Sequence, residues 1–351
     1  MAISRKILIL AGHIHVFMKC MLLHKPAPIE TSPLDYTDIE VPRIGSGEVL
    51  IKVSGCGVCH SNLHMVEGDW LDMGVPKKLP IVPGHEVTGT VEEFGSGVKN
   101  VAVGDKVGVQ PLYDTCGTCE PCLTGRENVC EKAQITGETV DGGYAQFMKA
   151  VGVHVYRLPD NLDTVSAAPL FCPGLTAYKA VMKAEPLPGK TLAVFGIGGV
   201  GHMAVQFAKL GGARVIGVSR KSEHLELAKE MGADTVISSE EKDFANVIGL
   251  VDSAIVFAPS SEYISLAAKS TKKGGILVIG VRGNLENFPF AKEITIKGTA
   301  IGTRFDMQNV LKIASRGLVH VKTNVYNLSE ANGVLSRLKK AEITGRAVLV
   351  P

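Results

Sequence analysis

The stretch from Thr191 to Leu210 limits the possible folds of this chain more than any other. Thr191-Leu-Ala-Val-Phe195 is a short apolar strand, and the turn Gly196-Ile197-Gly198-Gly199-Val200-Gly201 follows it directly. The next residues, up to Leu210, have helical texture, and Gly211-Gly212 supplies the stop. A Gly-x-Gly-x-x-Gly run alone says little. Between a strand and a helix it is the turn that lets backbone approach a pyrophosphate and aims free helix N–H groups at it. Gly196, Gly198, Gly199, Val200 and Gly201 are therefore expected to bind a dinucleotide. The alternation then continues, with strands expected at 213–218, 235–238, 253–257, 275–280 and 293–298 and helices at 222–231 and 261–270. That is the signature of a mostly parallel, doubly wound sheet in an α/β chain. A further helical stretch is read at 305–316, then a helix at 329–340 and a last strand at 343–351.

The second strand of this set ends in Ser219-Arg220-Lys221. An NAD site usually has Asp or Glu there, accepting a hydrogen bond from the ribose 2′-hydroxyl. A hydroxyl and two cations suit a 2′-phosphate instead, so NADP is favoured, with NAD as the alternative.

Upstream the texture differs. Glu48–Val53, Val87–Phe94 and Asp105–Val109 read as strands, and no helical period is sustained from Met18 to Val109. A small β-rich domain is expected. Within it, Gly55 to His64 contains two Cys, two His and a Ser in ten residues, a density of polar groups that a plain core does not tolerate unpartnered. With Pro83-Gly84-His85-Glu86 and Leu170-Phe171-Cys172, it offers Cys59, His85 and Cys172. Two thiolates and one imidazole leave a fourth zinc position open, which is the pattern of a catalytic site. A second set, Cys116-x2-Cys119-x2-Cys122 with Cys130, gives four thiolates and a closed, structural shell. Nothing nearby resembles a ferredoxin, and clustered Cys in a reducing compartment argue against disulfides. Cys56 and Cys20 are left as packed thiols. Two zinc ions per chain are expected.

The 351 residues suggest two domains, and a formal net charge of +2 argues against nucleic acid or a membrane surface as partner. The apolar run Ile7–Ala11 is too short to span a bilayer, and no convincing cleavage site follows it. Met18 reads like an ordinary start, so residues 1–17 are expected to be an extension or a poorly ordered tail. The location expected is cytoplasmic.

Taken together, Gly55-Cys-Gly-Val-Cys59-His60-Ser61, Gly84-His85-Glu86, the four-Cys lobe, Cys172 and the Gly-rich turn resemble the zinc-dependent alcohol dehydrogenases of the medium-chain dehydrogenase/reductase superfamily. Two Cys and one His are the known catalytic zinc ligands of alcohol dehydrogenase. The cofactor residues make the chain look like the NADP-using, cinnamyl-type branch. The resemblance implies a discontinuous GroES-like catalytic domain over 18–173 and 301–351, with a zinc lobe at 114–131. It also implies an inserted Rossmann domain over 174–300 and a homodimer or homotetramer. It makes Cys59, His85 and Cys172 the catalytic zinc ligands, with Glu86 behind the ion or transiently on it. Ser61 and His64 become the proton relay; His60 and Arg346 contact cofactor phosphates, and Thr176 lies beside the nicotinamide. The expected reaction is hydride transfer between a small alcohol or aldehyde and NADP(H). One position departs from the pattern: Asn62 stands where the family commonly has Asp, and its amide oxygen is expected to take over the hydrogen bond to the zinc-binding imidazole. Rival readings are a polyol or amino-acid dehydrogenase of the same superfamily, a zinc-free reductase of the same fold, and a zinc-ribbon binding protein. The last leaves Cys59, His85, Cys172 and the Gly-rich turn unexplained.

Overall fold

The computed structural model describes residues 6–10 and 13–351. The chain forms two compact units, one from the N-terminal part to Cys172 together with Val321–Pro351, the other Pro173–His320.

The first unit is largely β. Strands β1 (Lys6–Leu10), β2 (His13–Leu23) and β3 (Leu34–Glu40) form an antiparallel sheet in the order β1-β2-β3. Residues 6–10 and 13–17, expected to lie in an extension or a loose tail, are therefore in strands. The reason is visible in His13-Ile-His-Val-Phe17, a period-two run that continues without a break past Met18. Residues 1–5 and 11–12 lie outside the described residues. Next come β4 (Glu48–Gly57), helix α1 (His60–Glu67), β5 (Val87–Phe94), β6 (Lys106–Val109) and β7 (Leu112–Asp114). A short helix, α2 (Glu120–Leu123), precedes β8 (Gln134–Ile135), β9 (Phe147–Val151) and β10 (Val155–Arg157).

Helix α1 departs from the expectation of strands and turns only. Its apolar content is confined to two turns, and its N-cap is Cys59 rather than Ser, Thr, Asp or Asn, so the usual start signal is missing. Asn62 provides part of the cap, its Oδ1 accepting the Cys59 N–H at 3.3 Å. Gly68, at φ 86°, ends the helix.

The second unit begins with α3 (Pro173–Ala184), β11 (Thr191–Phe195), α4 (Gly201–Leu210), β12 (Arg214–Ser219) and α5 (Ser222–Glu230). It continues through β13 (Thr235–Ser238), α6 (Phe244–Ile248), β14 (Val251–Val256), α7 (Ser261–Ser270), β15 (Thr271–Ile279), β16 (Thr295–Gly298) and α8 (Arg304–Ala314). The six strands lie in the order β13-β12-β11-β14-β15-β16, and every pairing is parallel. This is the doubly wound order whose reversal falls between β11 and β14. Fully apolar central strands such as Leu192–Phe195 follow from burial on both faces.

Residues 301–320, expected with the first unit, pack with the second. Lys179 on α3 pairs with Asp306 on α8 at 2.7 Å, and Gln206 on α4 exchanges hydrogen bonds with the His320 backbone. The chain then re-enters the first unit as β17 (Thr323–Asn327), α9 (Ala331–Lys339) and β18 (Arg346–Val350). β18 lies beside β4, and the sheet order there is β10-β6-β5-β4-β18-β17, with β9 also on β4. Among the described residues no helix is long and apolar enough to cross a membrane.

Candidate active site

Strand pairing brings the separate segments of the first unit together. β4 and β5 run antiparallel with Cys56 opposite Val87, and the Gly57 N–H donates to the Glu86 carbonyl at 2.9 Å. His85 and Glu86, just ahead of β5, thus arrive next to Cys59, just beyond β4. On the other side β18 sets Val348 opposite Gly57, and the Val58 N–H donates to the Ala347 carbonyl, which delivers Arg346. Cys172 follows the short 3-10 turn Ala168–Phe171, anchored by the fully buried Phe171 against Tyr156. Gly57 is required where it stands: a Cβ there would overlap the Glu86 carboxylate.

The result is a buried cluster of Cys59, His85, Glu86 and Cys172 whose ligand atoms all lie within 4.8 Å of one another. The Cys59 and Cys172 Sγ atoms are 4.0 Å apart. A tetrahedral ion with Zn–S of about 2.3 Å sets two sulfurs about 3.8 Å apart, whereas a disulfide needs about 2.05 Å. His85 Nε2 and Glu86 Oε2 are buried with no hydrogen-bond partner. Two orphaned acceptors facing two thiols form a donor set that fits a cation and little else.

The groups of this cluster act strongly on one another's proton affinities. The Cys172 thiol beside it holds Cys59 well below the usual thiol range, with help from His85 and Arg346 against the effect of burial. Cys172 is pushed up by sharing its proton with Cys59 and by burial. Burial depresses the His85 imidazole, but the Cys59 thiol and the Glu138 carboxylate beside it outweigh burial and lift the group to about 10. Burial raises Glu86 to about 8 against the pull of Arg346. Arg346, only 4% exposed, pairs closely with Glu86 Oε1 and donates to the Val58 carbonyl at 2.8 Å. Its guanidinium, expected at the cofactor phosphates, packs against Glu86 and the Val58 carbonyl behind the thiol cluster, where the β18–β4 register places it.

In the second unit the Gly-rich turn joins β11 to α4 as expected. Gly196 has φ 96°, a left-handed conformation that suits glycine, and its N–H donates to the Val218 carbonyl at 2.8 Å. A Cβ at Gly198 would meet nothing within 4 Å, so that face of the turn is open to a ligand. Ser219, buried at the end of β12, lies 3.4 Å from His224 Nδ1, and Arg220 after it is exposed. Thr176 is half-buried in the first turn of α3.

Two family models match the chain: "Alcohol dehydrogenase GroES-like domain" over residues 45–160 and "Zinc-binding dehydrogenase" over residues 199–316. An alcohol dehydrogenase of Geobacillus stearothermophilus is 42% identical over 327 residues, covering 90% of this chain and 96% of that protein. The crystal structure of the alcohol dehydrogenase from the archaeon Aeropyrum pernix superposes with a TM-score of 0.87 at 35% identity, covering 95% of this chain and all of the other. A cinnamyl alcohol dehydrogenase of Sorghum bicolor gives a TM-score of 0.86 at 29% identity, with 95% and 97% covered. The chain belongs to the zinc-binding alcohol dehydrogenase family.

In the first unit of this dehydrogenase, Cys116, Cys119, Cys122 and Cys130 form a second cluster with sulfurs within 4.8 Å. Cys122 lies 3.9 Å from Cys116 and 3.5 Å from Cys119, Cys130 lies 3.6 Å from Cys116, and all four are free thiols. Backbone N–H groups of Thr118 and Cys119 lower the Cys116 thiol to about 6. Cys56 and Cys20 are fully buried outside both clusters, and burial pushes Cys20 up to about 12.

Helix α1 carries Ser61 and His64 one turn apart. Ser61 Oγ is 3.7 Å from Cys59 Sγ, and His64 Nδ1 is 2.7 Å from Asp69 Oδ2, with the Trp70 ring 5.3 Å away. His60, at the start of the helix, is exposed. The amide of Asn62 is turned the other way from expectation: its Oδ1 accepts from the Cys59 N–H and the Tyr144 hydroxyl, and its Nδ2 faces His85 Nδ1 at 3.5 Å. The carboxylate nearest that ring is Glu138, its Oε1 3.4 Å from His85 Nδ1. Sequence reasoning does not find Glu138 or Asp69. Asp69 leaves a usable signal, being five residues beyond His64 and just past the Gly68 cap of the same helix.

Proposed function

We propose that this alcohol dehydrogenase interconverts small alcohols and their aldehydes or ketones with NADP(H), using one zinc at Cys59, His85 and Cys172 and a second at the four-Cys lobe. The observation that carries the reading is the buried pair of orphaned acceptors, His85 Nε2 and Glu86 Oε2, beside two thiols 4.0 Å apart. An ion held there supplies Lewis acidity, which makes an alcohol proton easier to remove. Ser61, beside the Cys59 sulfur, is placed to accept that proton, and His64 one turn further on gives it a way to solvent. Asp69 fixes the His64 ring by holding Nδ1, which leaves Nε2 for exchange. Arg346 balances Glu86 in the buried layer behind the thiols and so keeps that carboxylate from collapsing onto another partner. The lobe holds its ion for stability, since four thiolates leave no open position.

The hydride acceptor belongs to the nicotinamide cofactor, and the turn at Gly196–Gly201 with the α4 N-terminus is its expected pyrophosphate cradle. Ser219, exposed Arg220 and Lys221 offer no carboxylate to a ribose 2′-hydroxyl, which supports NADP over NAD and the cinnamyl-type branch. His60, Thr176 and Arg346 are carried as cofactor contacts on the family pattern alone, as are a homodimeric or homotetrameric state and a cytoplasmic location.

A panel of primary and secondary alcohols, polyols and amino acids, run against NADP and NAD with and without chelator, tests this reading. The expected result is chelator-sensitive oxidation of simple alcohols with NADP and about two zinc ions per chain from the two donor sets. Faster turnover with NAD would overturn the cofactor assignment. Turnover only of polyols or amino acids would move the substrate class.

A further inference from the structure

We infer that Glu138 is the carboxylate that orients the metal-binding imidazole of His85, in the role the family pattern gives to the Asp replaced here by Asn62; the inference rests on the zinc reading above. A neutral imidazole that binds an ion through Nε2 carries its proton on Nδ1 and needs an acceptor there. Asn62 cannot be that acceptor. The Cys59 N–H is a donor only, and it fixes Asn62 Oδ1 toward itself at 3.3 Å, leaving the donor Nδ2 toward His85. Turning the amide over would set two donors face to face at Cys59.

Glu138 is built into position from another part of the chain. Its turn follows β8 and is held by the Gly137 N–H on the Val140 carbonyl at 2.9 Å and the Lys77 N–H on the Glu138 carbonyl at 3.1 Å. Gly137 presses on the backbone next to His85: a Cβ there would lie 2.6 Å from Gly84 N. The Glu138 side chain is only 12% exposed and its Oε1 stands 3.4 Å from His85 Nδ1. The hydrogen bonds that hold the turn come from the backbone and from Thr139, so substituting the Glu138 side chain leaves them in place. The carboxylate therefore survives in this enzyme, relocated from helix α1 to the turn after β8.

The test is release of zinc from the holoenzyme to a chromogenic chelator, with the four-Cys ion as internal control. Glu138→Gln and Glu138→Ala are expected to lose the buried-site ion about 10- to 100-fold more readily, with the lobe ion unchanged. Adding Asn62→Asp to Glu138→Gln should bring retention back to within a few-fold of wild type, which a merely structural role for Glu138 would not do. Wild-type retention in both single variants, or loss that Asn62→Asp does not restore, overturns the inference. So does joint loss of both ions, which would mark unfolding of the unit. Wild-type protein that holds only the lobe ion would instead sink the zinc reading of the buried cluster, and this inference with it.

Discussion

The two cysteine clusters of the first unit use the same element in opposite ways. Cys116, Cys119, Cys122 and Cys130 come from one short stretch, lie mostly at half-buried positions, and close on one another in a loop whose Arg126–Glu120 pair is exposed. Cys59, His85 and Cys172 come from three distant segments, are buried, and have Glu86 and Arg346 packed behind them. A local, all-thiolate shell can form with its own loop, and its binding energy becomes folding energy for that loop. The buried set exists only after β4, β5 and β18 have paired, so the fold builds it and does not depend on it. A cluster that the fold builds can leave a coordination position open, which is what chemistry requires.

The largest expected effect separates the two directly. Cys59→Ala should lower kcat/KM by at least about 10^3-fold, the scale of several kcal/mol of lost Lewis-acid assistance, with a melting temperature close to wild type. Cys122→Ala should do the reverse, dropping the melting temperature by several degrees while the folded fraction keeps its kcat/KM within a few-fold. Metal content should fall from about two to about one in each variant. Equal losses of activity and stability in both would erase the distinction.

Next in size is the layer behind the thiols. Arg346→Ala leaves Glu86 buried without its countercharge, and breaking one side of a buried pair costs about 3–5 kcal/mol. Denaturant unfolding measures it. An Arg346→Ala protein within about 1 kcal/mol of wild type, the scale of an exposed pair, would mean that Glu86 takes up a proton in place of its countercharge.

The same contrast explains what the sequence reveals. The four-Cys lobe and the turn at Gly196–Gly201 are legible because their spacing is local and each residue has one strong reason to be there. Cys59, His85 and Cys172 are legible only as a set, as two thiols and an imidazole in three polar-rich segments, an assignment that the family resemblance supports. Helix α1 is not legible, since Cys59 is an unusual N-cap and two turns give too little period. The allocation of residues 301–320 to the second unit depends on tertiary contacts such as Lys179 with Asp306. Glu138 is hidden for the same reason, because its approach to His85 depends on how Gly137 packs on Gly84. Arg346 is recognisable as a site residue, but its burial behind Glu86 follows from strand register that the sequence does not display.

Glycine substitutions sharpen the comparison on a smaller scale. Gly57→Ala should cost about 1–3 kcal/mol by overpacking, because its Cβ would overlap Glu86, and it should also disturb the buried donor set. Gly125→Ala in the lobe meets nothing within 4 Å but sits at φ 70°, so only the left-handed penalty of about 1 kcal/mol applies. The expected outcome is that Gly57→Ala loses activity as well as stability and Gly125→Ala loses stability alone.

The smallest effect concerns access to water, which a buried reactive cluster needs and a structural one does not. Ser61 lies next to the Cys59 sulfur, and His64 on the same helix reaches the surface with a side chain 37% exposed. If a proton leaves by that route, His64→Gln should slow turnover by about tenfold at acid pH, somewhat below the usual range for acid–base groups because solvent offers a bypass. The deficit should shrink as pH rises, since hydroxide then takes the proton without help from the protein. The slope of log kcat against pH below neutrality therefore becomes steeper in the variant. A rate profile that keeps its shape and merely shifts down would remove His64 from the proton path and leave it as packing for Trp70.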